Sequence, residues 1–184
     1  MALQKISKKE IIAISIKMFR KQGYYRTTMA DLAQATGLTK GVFYHHFASK
    51  EALMKTALTT LSEWFEEKVF KTAYSPNLTP QEKFDNMTEI VIKAFTSDLG
   101  GCLFANTILE TAHVEETFLP EIKHFFQNWE NAMCKVFEEK YAQQALVIIA
   151  KQNIADIEGA LILMQLYKDT TYLQRTLERV KKML

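Results

Sequence analysis

The chain has 184 residues, 48% of them hydrophobic and 24% charged, which is ordinary for a folded protein of one or two domains. Its net charge of +2 is unevenly distributed along the chain, because residues 1–50 carry nine lysines and arginines against two acids. Such a basic segment on a mildly acidic body is typical of a polyanion-binding module. Two cysteines are too few for a disulfide scaffold, and the sequence shows no signal peptide that would indicate secretion. No apolar run approaches the roughly 20 residues of a membrane span. We therefore expect a reduced, cytoplasmic chain without membrane contact.

The first two helices are predicted from their start and stop signals. Ser7 and Glu10 form a capping-box pattern, and the apolar face that follows ends near Gly23. Thr28 and Asp31 repeat the pattern at the start of a second, shorter helix. A hydroxyl residue followed three positions later by a carboxylate satisfies two amide donors that a helix start leaves unpaired. The basic segment therefore opens with two helices.

A tight turn and a third helix follow the second. Gly37 ends the second helix, because glycine reaches left-handed dihedrals at no steric cost. Thr39 can cap a third helix over residues 40–47, whose face away from the core is small, aromatic and hydrogen-bonding, with almost no acid. A helix, a tight turn and a second helix of this kind form a helix-turn-helix that enters a DNA groove. The segment therefore predicts a DNA-binding module.

This stretch resembles the TetR family of bacterial transcription regulators, including its AcrR-like members. The resemblance runs over residues 12–53 and implies a three-helix DNA-binding domain in residues 1–48, followed by a helical effector-binding and dimerisation domain in residues 49–184. It rests on landmarks that keep their order and spacing: Ile12, Phe19, Gly23, Thr27, Thr28, Leu32, Ala33, Gly37, Leu38, Thr39, Lys40, Gly41, Tyr44, His45, His46, Phe47, Ser49, Lys50, Glu51, Ala52 and Leu53.

The resemblance also assigns DNA contacts that helical geometry permits. Hydroxyls and free amides at a helix start can hold a phosphate, whereas side chains of the third helix can reach base edges. The expected phosphate contacts are Thr27, Thr28, Tyr44, His46 and Lys50, and the expected base contacts are Thr39, Lys40, Val42 and His45, with Gly41 allowing close approach. Each threonine can alternatively be an ordinary helix cap.

The rest of the chain also follows a helical period, so we predict an all-α fold of about nine helices. The six helices of the body are expected from Ser49 to a turn at 74–77, from Thr79 to before Gly100, over 102–112, after a start near Pro120, over 146–167 and over 173–183.

Aromatic and methionine side chains are concentrated in this body. In proteins similar to this one the body binds a small molecule, which shifts the DNA modules, so we expect a repressor released by an unknown small apolar or amphipathic effector. The candidates for the pocket are Trp64, Phe65, Phe95, Phe104, Phe126, Trp129 and Met133, with Phe118, Phe125, Phe137, Met164 and Tyr167 as further candidates. The alternative for each of these residues is an ordinary place in the core.

Two adjacent apolar stripes close the chain and predict a homodimer. A partner presenting the same pair of helices would bury them in a four-helix interface, and the dimer would need a roughly palindromic double-stranded DNA operator. The stripes are Ile154, Ile157, Leu161 and Met164, then Leu173, Leu177 and Val180. The alternative is that they pack on the body.

Three other interpretations stay open. Glu110 and Glu121 each precede a histidine by three residues, His113 and His124, a spacing found in metal-binding helical bundles. Cys102 lies beside a helix start and could make the regulator redox-sensing. An architectural DNA-binding protein without an effector is the third. We expect no metal, no cofactor and no enzymatic activity, since the phosphate-binding loop, the G-x-S-x-G elbow and the H-E-x-x-H motif are missing.

Overall fold

The computed structural model describes residues 6–96, 100–114 and 116–184. Within these ranges the chain forms nine α-helices and one 3-10 helix, joined by turns and loops. The predicted all-α class with nine helices is confirmed for these ranges. No helix within them is long and apolar enough to cross a membrane. The helices are α1 Lys8–Gln22, α2 Met29–Ala35, α3 Lys40–His46, α4 Lys50–Lys68, α5 Pro80–Thr96, α6 Leu103–Thr111, α7 Leu119–Phe137, α8 Gln143–Tyr167 and α9 Thr171–Lys181, with the 3-10 helix Phe70–Tyr74 between α4 and α5.

The helix starts of the basic segment follow the predicted capping boxes. The Ser7 hydroxyl accepts from the Glu10 amide at 3.2 Å, and the Glu10 carboxylate accepts from the Ser7 amide at 2.8 Å. Thr28 and Asp31 make the same reciprocal pair at 3.1 and 3.0 Å. The hydrogen bonds from Ser7 and Thr28 lower the pKa of both carboxyl groups, so both stay ionised at neutral pH. Local sequence thus determines where α1 and α2 begin.

The helices group into two compact units. The first unit comprises the described residues within 1–61 and 103–122, and therefore contains α1–α3, most of α4 and α6. Tyr24 lies edge-on against Phe118 in this unit, with ring centroids 4.8 Å apart. The predicted functional boundary after residue 48 is a different division and stays a prediction. The core of the first unit includes Ile11, Phe19, Leu32, Phe43, Leu53, Met54, Leu58 and Phe104.

The second unit comprises the described residues within 62–102 and 123–184. Here α9 packs against α8 and α5, and α5 packs against the 3-10 helix. The two apolar stripes predicted for the dimer interface lie inside this packing and expose at most 8% of any side chain, so that prediction of interface residues is wrong. The stripes face each other and the core, because burying apolar surface within the chain is favourable and needs no partner. The residues concerned are Ile154, Ile157, Leu161, Met164, Leu173, Leu177 and Val180.

Candidate nucleic-acid interface and effector cleft

The turn between α2 and α3 takes the form that the sequence predicts. Gly37 has a φ of +69°, and the Leu38 amide after it donates to the Ala33 carbonyl at 3.0 Å. The Thr39 hydroxyl then accepts from the Val42 amide at 3.4 Å and starts α3. Because a side chain at position 37 would strain the left-handed backbone, the glycine fixes the direction in which α3 leaves the turn.

Helix α3 is held by its buried aromatic side. Phe43 is fully buried and Phe47, directly after the helix, nearly so, with ring centroids 6.3 Å apart. Val42 and Tyr44, the neighbours of Phe43, each expose 43% of their surface. The residues predicted to contact DNA that are exposed are Thr28, Thr39, Lys40, Gly41, Val42, Tyr44 and His45, whereas His46 and Lys50 are half-buried. The outer face of α3 carries no acidic residue, so it can approach phosphates without repulsion.

Thr27 differs from the other predicted contacts. Its side chain is fully buried, and its hydroxyl donates to the Gly23 carbonyl at 2.7 Å. The prediction that this hydroxyl contacts a phosphate is therefore wrong in this geometry. Thr27 closes the loop between α1 and α2, and Thr28, the next residue, is the one that faces outward.

Lys50 ties the start of α4 to that same loop. Its Nζ donates to the Tyr24 carbonyl at 2.8 Å and lies 4.3 Å from the centroid of the Tyr24 ring. A lysine ammonium has three N–H donors, so this hydrogen bond does not prevent a contact with phosphate. The sequence suggested only the phosphate contact and gave no sign of the tie to Tyr24.

Helix α6 also contacts this loop and the last turn of α1. The Glu110 carboxylate accepts from the Tyr25 amide at 3.1 Å, and the Asn106 side chain donates to the Arg20 carbonyl at 3.5 Å. Gly23 has a φ of +84°, and a Cβ there would overlap the Glu110 carboxylate. Sequence reasoning missed this role of Glu110, because a contact across 85 residues leaves no local pattern.

A narrow apolar cleft lies within the second unit. Its empty space is about 510 Å³, part of it open to solvent, and little of it admits a water-sized sphere. The lining residues are Phe65, Val69, Phe70, Phe84, Met87, Thr88, Val91, Phe95, Cys102, Phe125, Trp129, Met133, Ile157, Glu158 and Leu177. Four of the seven residues predicted for the pocket are among them, namely Phe65, Phe95, Trp129 and Met133, together with the further candidate Phe125.

The other three predicted pocket residues lie elsewhere. Trp64 is 38% exposed, and Phe126 stacks on Trp129 without lining the cleft. Each directly precedes or follows a lining phenylalanine, and adjacent helical residues point about 100° apart. Phe104 is buried in the core of the first unit. Of the further candidates, Phe118, Phe137, Met164 and Tyr167 also lie outside the lining.

Among the described residues that line the cleft, Glu158 is the single residue with an acidic or basic side chain. Its Oε1 atom is buried and has no hydrogen-bond partner. Burial raises the pKa of the carboxyl group to about 7, and a hydrogen bond with Cys102 opposes that shift. The sequence held a signal that was missed, because Glu158 lies four residues after Ile154 and three before Leu161, on the apolar face of α8.

The two Glu-x-x-His pairs do not come together as a metal site. His113 is exposed while Glu110 is bound to the loop, and His124 lies 3.1 Å from the Glu66 carboxylate. Among the residues described, no group of three or more histidines, cysteines or acids is arranged to hold a metal ion. Burial raises the pKa of the Cys134 thiol, which makes it a weak nucleophile.

Two family models match the chain. Residues 11–57 match the model described as bacterial regulatory proteins of the tetR family. Residues 80–179, more than half of the chain, match the model described as the C-terminal domain of LmrA/YxaF-like transcriptional regulators. The two matches fall on α1 to the first part of α4, and on α5 to α9.

Similar proteins extend over nearly the whole chain. The repressor DhaR of Mycobacterium sp. strain GP1 is 23% identical over 168 residues, which cover 88% of this chain and 84% of that protein. An HTH-type transcriptional regulator in the lacX 3′ region of Lactococcus lactis is 23% identical over 184 residues, 95% and 91% of the two chains. The crystal structure of a TetR regulator from Legionella pneumophila has a TM-score of 0.89 at 22% identity, over 99% of this chain and 100% of that one, a likeness of fold.

Proposed function

As a member of the TetR family of bacterial transcriptional regulators, the chain is a DNA-binding protein of the helix-turn-helix class, and we propose that it is a repressor that binds a palindromic operator as a homodimer and leaves it when a small molecule occupies the cleft. The observation that carries this proposal is the exposed, acid-free outer face of α3 on a fixed turn. Repression is supported by DhaR, which is named a repressor. Since its target would be the chromosome, we propose a cytoplasmic location.

The proposed DNA contacts fall into two groups. Phosphate contacts supply affinity for any sequence, and base contacts supply the preference. We assign Thr28, Tyr44, His46 and Lys50 to phosphates and Thr39, Lys40, Val42 and His45 to base edges, with Gly41 allowing close approach. A lysine suits guanine O6 and N7, and a valine suits the thymine methyl group. Thr27 is left out because its hydroxyl is bound inside the loop.

A different face of α8 supports the homodimer. This helix exposes large apolar side chains in addition to those that it buries, and the outer ones expose up to 70% of their surface. Four of them, Ile162, Leu163, Leu166 and Tyr167, lie within six consecutive residues, and such an exposed apolar patch marks an interaction surface. A second copy would cover it and place two DNA modules on half-sites about 34–36 Å apart. The outer residues are Ile148, Ile162, Leu163, Leu166 and Tyr167.

Two continuous stretches of chain support coupling between cleft and DNA module. Helix α4 carries Lys50 at its start and the cleft residue Phe65 near its end. Cys102 lines the cleft, α6 starts at the next residue, and Glu110 on α6 holds the loop before α2. A ligand that displaces Phe65 or Cys102 would therefore move helices that position α3.

The proposal is tested by selecting fragments of the source genome with the purified protein at about 150 mM salt and sequencing them, since affinities need a stated salt concentration. We expect enrichment of one palindrome by a ratio of about 10³ or more over bulk DNA. Lys40→Ala should change the enriched sequence, whereas Lys140→Ala, which removes an equal charge outside the module, should not. Binding without enrichment would favour an architectural DNA-binding protein instead.

A further inference from the structure

The cleft carries one acidic side chain, Glu158, in an otherwise aromatic and sulfur-rich lining. Six aromatic rings line it, and Met87 and Met133 add polarisable sulfur atoms. Apart from Glu158, the polar groups among the described lining side chains are the Thr88 hydroxyl, the Cys102 thiol and the Trp129 indole N–H. No lysine, arginine or histidine is among those residues. The described lining therefore offers nothing that would neutralise an acidic ligand.

The Glu158 carboxyl group is poorly satisfied in the empty cleft. One oxygen is buried without a partner, and a buried polar atom left unpaired is destabilising. Phe65, Phe70, Phe125 and Trp129 lie around the same space. These rings supply apolar contact but no conventional N–H or O–H to the carboxyl group, apart from the single indole N–H. A ligand that brings its own donor would remove this deficit.

An ammonium group meets this environment better than a hydroxyl group does. Hydrogen bonds between ionised partners are roughly twice as strong as neutral ones, and a cation is also attracted to the faces of aromatic rings. A carboxylate ligand would meet Glu158 as a like charge. The narrow shape of the cleft suits an alkyl chain or a single ring better than a bulky ring system.

We propose that the cleft binds a slender organic cation, an alkyl or arylalkyl amine in its protonated form, with the ammonium group at Glu158 and the apolar body among the surrounding rings. The inference rests on the proposed function in one respect, namely that the occupant of this cleft is the effector. It assigns a ligand class and a specificity-determining residue to the site.

The test compares three probes with one apolar body and different ends: 4-phenylbutylamine, 4-phenylbutan-1-ol and 4-phenylbutanoate. Their affinities for the full-length protein are measured by calorimetry at about pH 8, where a carboxyl group with a pKa of about 7 is mostly ionised. We expect the amine to bind about tenfold or more tighter than the alcohol, and the acid to bind most weakly. Glu158→Gln should remove most of the preference for the amine and leave the affinity for the alcohol within about threefold, because the amide keeps the shape of the side chain.

Asp156→Asn is the matched control, since Asp156 lies on the same helix, outside the cleft lining, and is paired with Arg179. It should leave all three affinities unchanged.

The wild-type protein gives a second measurement that needs no variant. At about pH 5.5 Glu158 is mostly protonated while the amine stays charged, so the preference for the amine should shrink about tenfold. Among the described lining residues, the Cys102 thiol is the other titratable group.

Two outcomes overturn the inference. One is equal or tighter binding of the alcohol by the wild-type protein at about pH 8, and the other is failure of all three probes to bind while the operator is still bound. Operator binding in the absence of any probe is measured separately by gel shift. Its absence would count against the proposed function, whereas a probe preference that survives Glu158→Gln would count against the role of Glu158 alone.

Discussion

Helices α3 and α8 both present a surface for recognition, but they differ in how many of their sides are apolar. Helix α3 has seven residues, buries Phe43 and exposes a polar and aromatic face. Helix α8 has 25 residues and is apolar on two sides, so that Ile157 and Leu161 point inward while Ile162 and Leu166 stay exposed. In a short helix that is anchored by one buried aromatic ring, the position of that ring determines which face is exposed. A long helix with apolar residues on two sides has two candidate interfaces, and only the packing of the folded chain decides between them.

Charged residues on the outer face of α8 should disrupt both the proposed homodimer and operator binding. Ile162→Glu with Leu166→Glu should convert the proposed homodimer to monomers, because unpaired charges would be buried at the interface. Operator affinity should fall about 10³-fold, since a monomer engages one half-site. Light scattering after gel filtration and gel shifts measure the two effects. Leu109→Glu, at an exposed leucine on α6, is the control and should leave the dimer intact; an intact dimer in the double variant would contradict the assigned face.

Neighbouring residues on α3 should separate stability from recognition. Phe43→Ala removes a fully buried ring and should lower the free energy of unfolding by about 3–5 kcal/mol. Val42→Ala should change it by no more than about 0.5 kcal/mol, because Val42 is exposed, yet should alter which operator variants are preferred. Urea unfolding and binding to a panel of single-base operator variants measure these effects. Unchanged preference in Val42→Ala would remove Val42 from the base contacts.

The buried carboxyl group should give the second unit a pH-dependent stability. Burial raises the pKa of Glu158 from 4.5 to about 7, so between these values the folded protein keeps a proton that the unfolded chain releases. The associated stability is complete below about pH 4.5 and is lost as the pH rises through about 7, by about 3 kcal/mol in all. Glu158→Gln should therefore match the wild type at about pH 4 and exceed it at about pH 8. A constant difference across this range in urea unfolding would contradict the buried position, and Asp156→Asn is again the control.

Short-range signals explain what the sequence predicted well. The starts of α1, α2 and α3 depend on Ser7, Thr28 and Thr39, whose partners lie three residues away, so a short window contains the whole interaction. The same is true of the turn at Gly37 and of the side of α3 that Phe43 anchors. The fold class and the exposed face of the module were therefore predictable from the sequence.

The remaining features depend on contacts between distant parts of the chain. Glu110 reaches Tyr25 across 85 residues, and Lys50 reaches the Tyr24 carbonyl across 26, so neither tie leaves a periodic pattern. Thr27 looks the same as Thr28 in the sequence, although one is buried and the other exposed. Which lining residues turn toward the cleft is decided by rotations of about 100° between neighbours, which composition alone does not determine.

Lys50 combines a hydrogen bond inside the module with a proposed phosphate contact. Lys50→Met should weaken binding to every operator variant by about 5–10-fold and reduce the slope of log affinity against log salt by about 1, because one phosphate contact is lost. Lys55→Met is the control, since five residues later the side chain points about 140° away and pairs with Glu51. If affinity falls while the salt slope stays unchanged, Lys50 acts only through its hydrogen bond to the Tyr24 carbonyl. In that case the loop before α2 would need this tie to hold the module in shape, and the phosphate contacts would be Thr28, Tyr44 and His46.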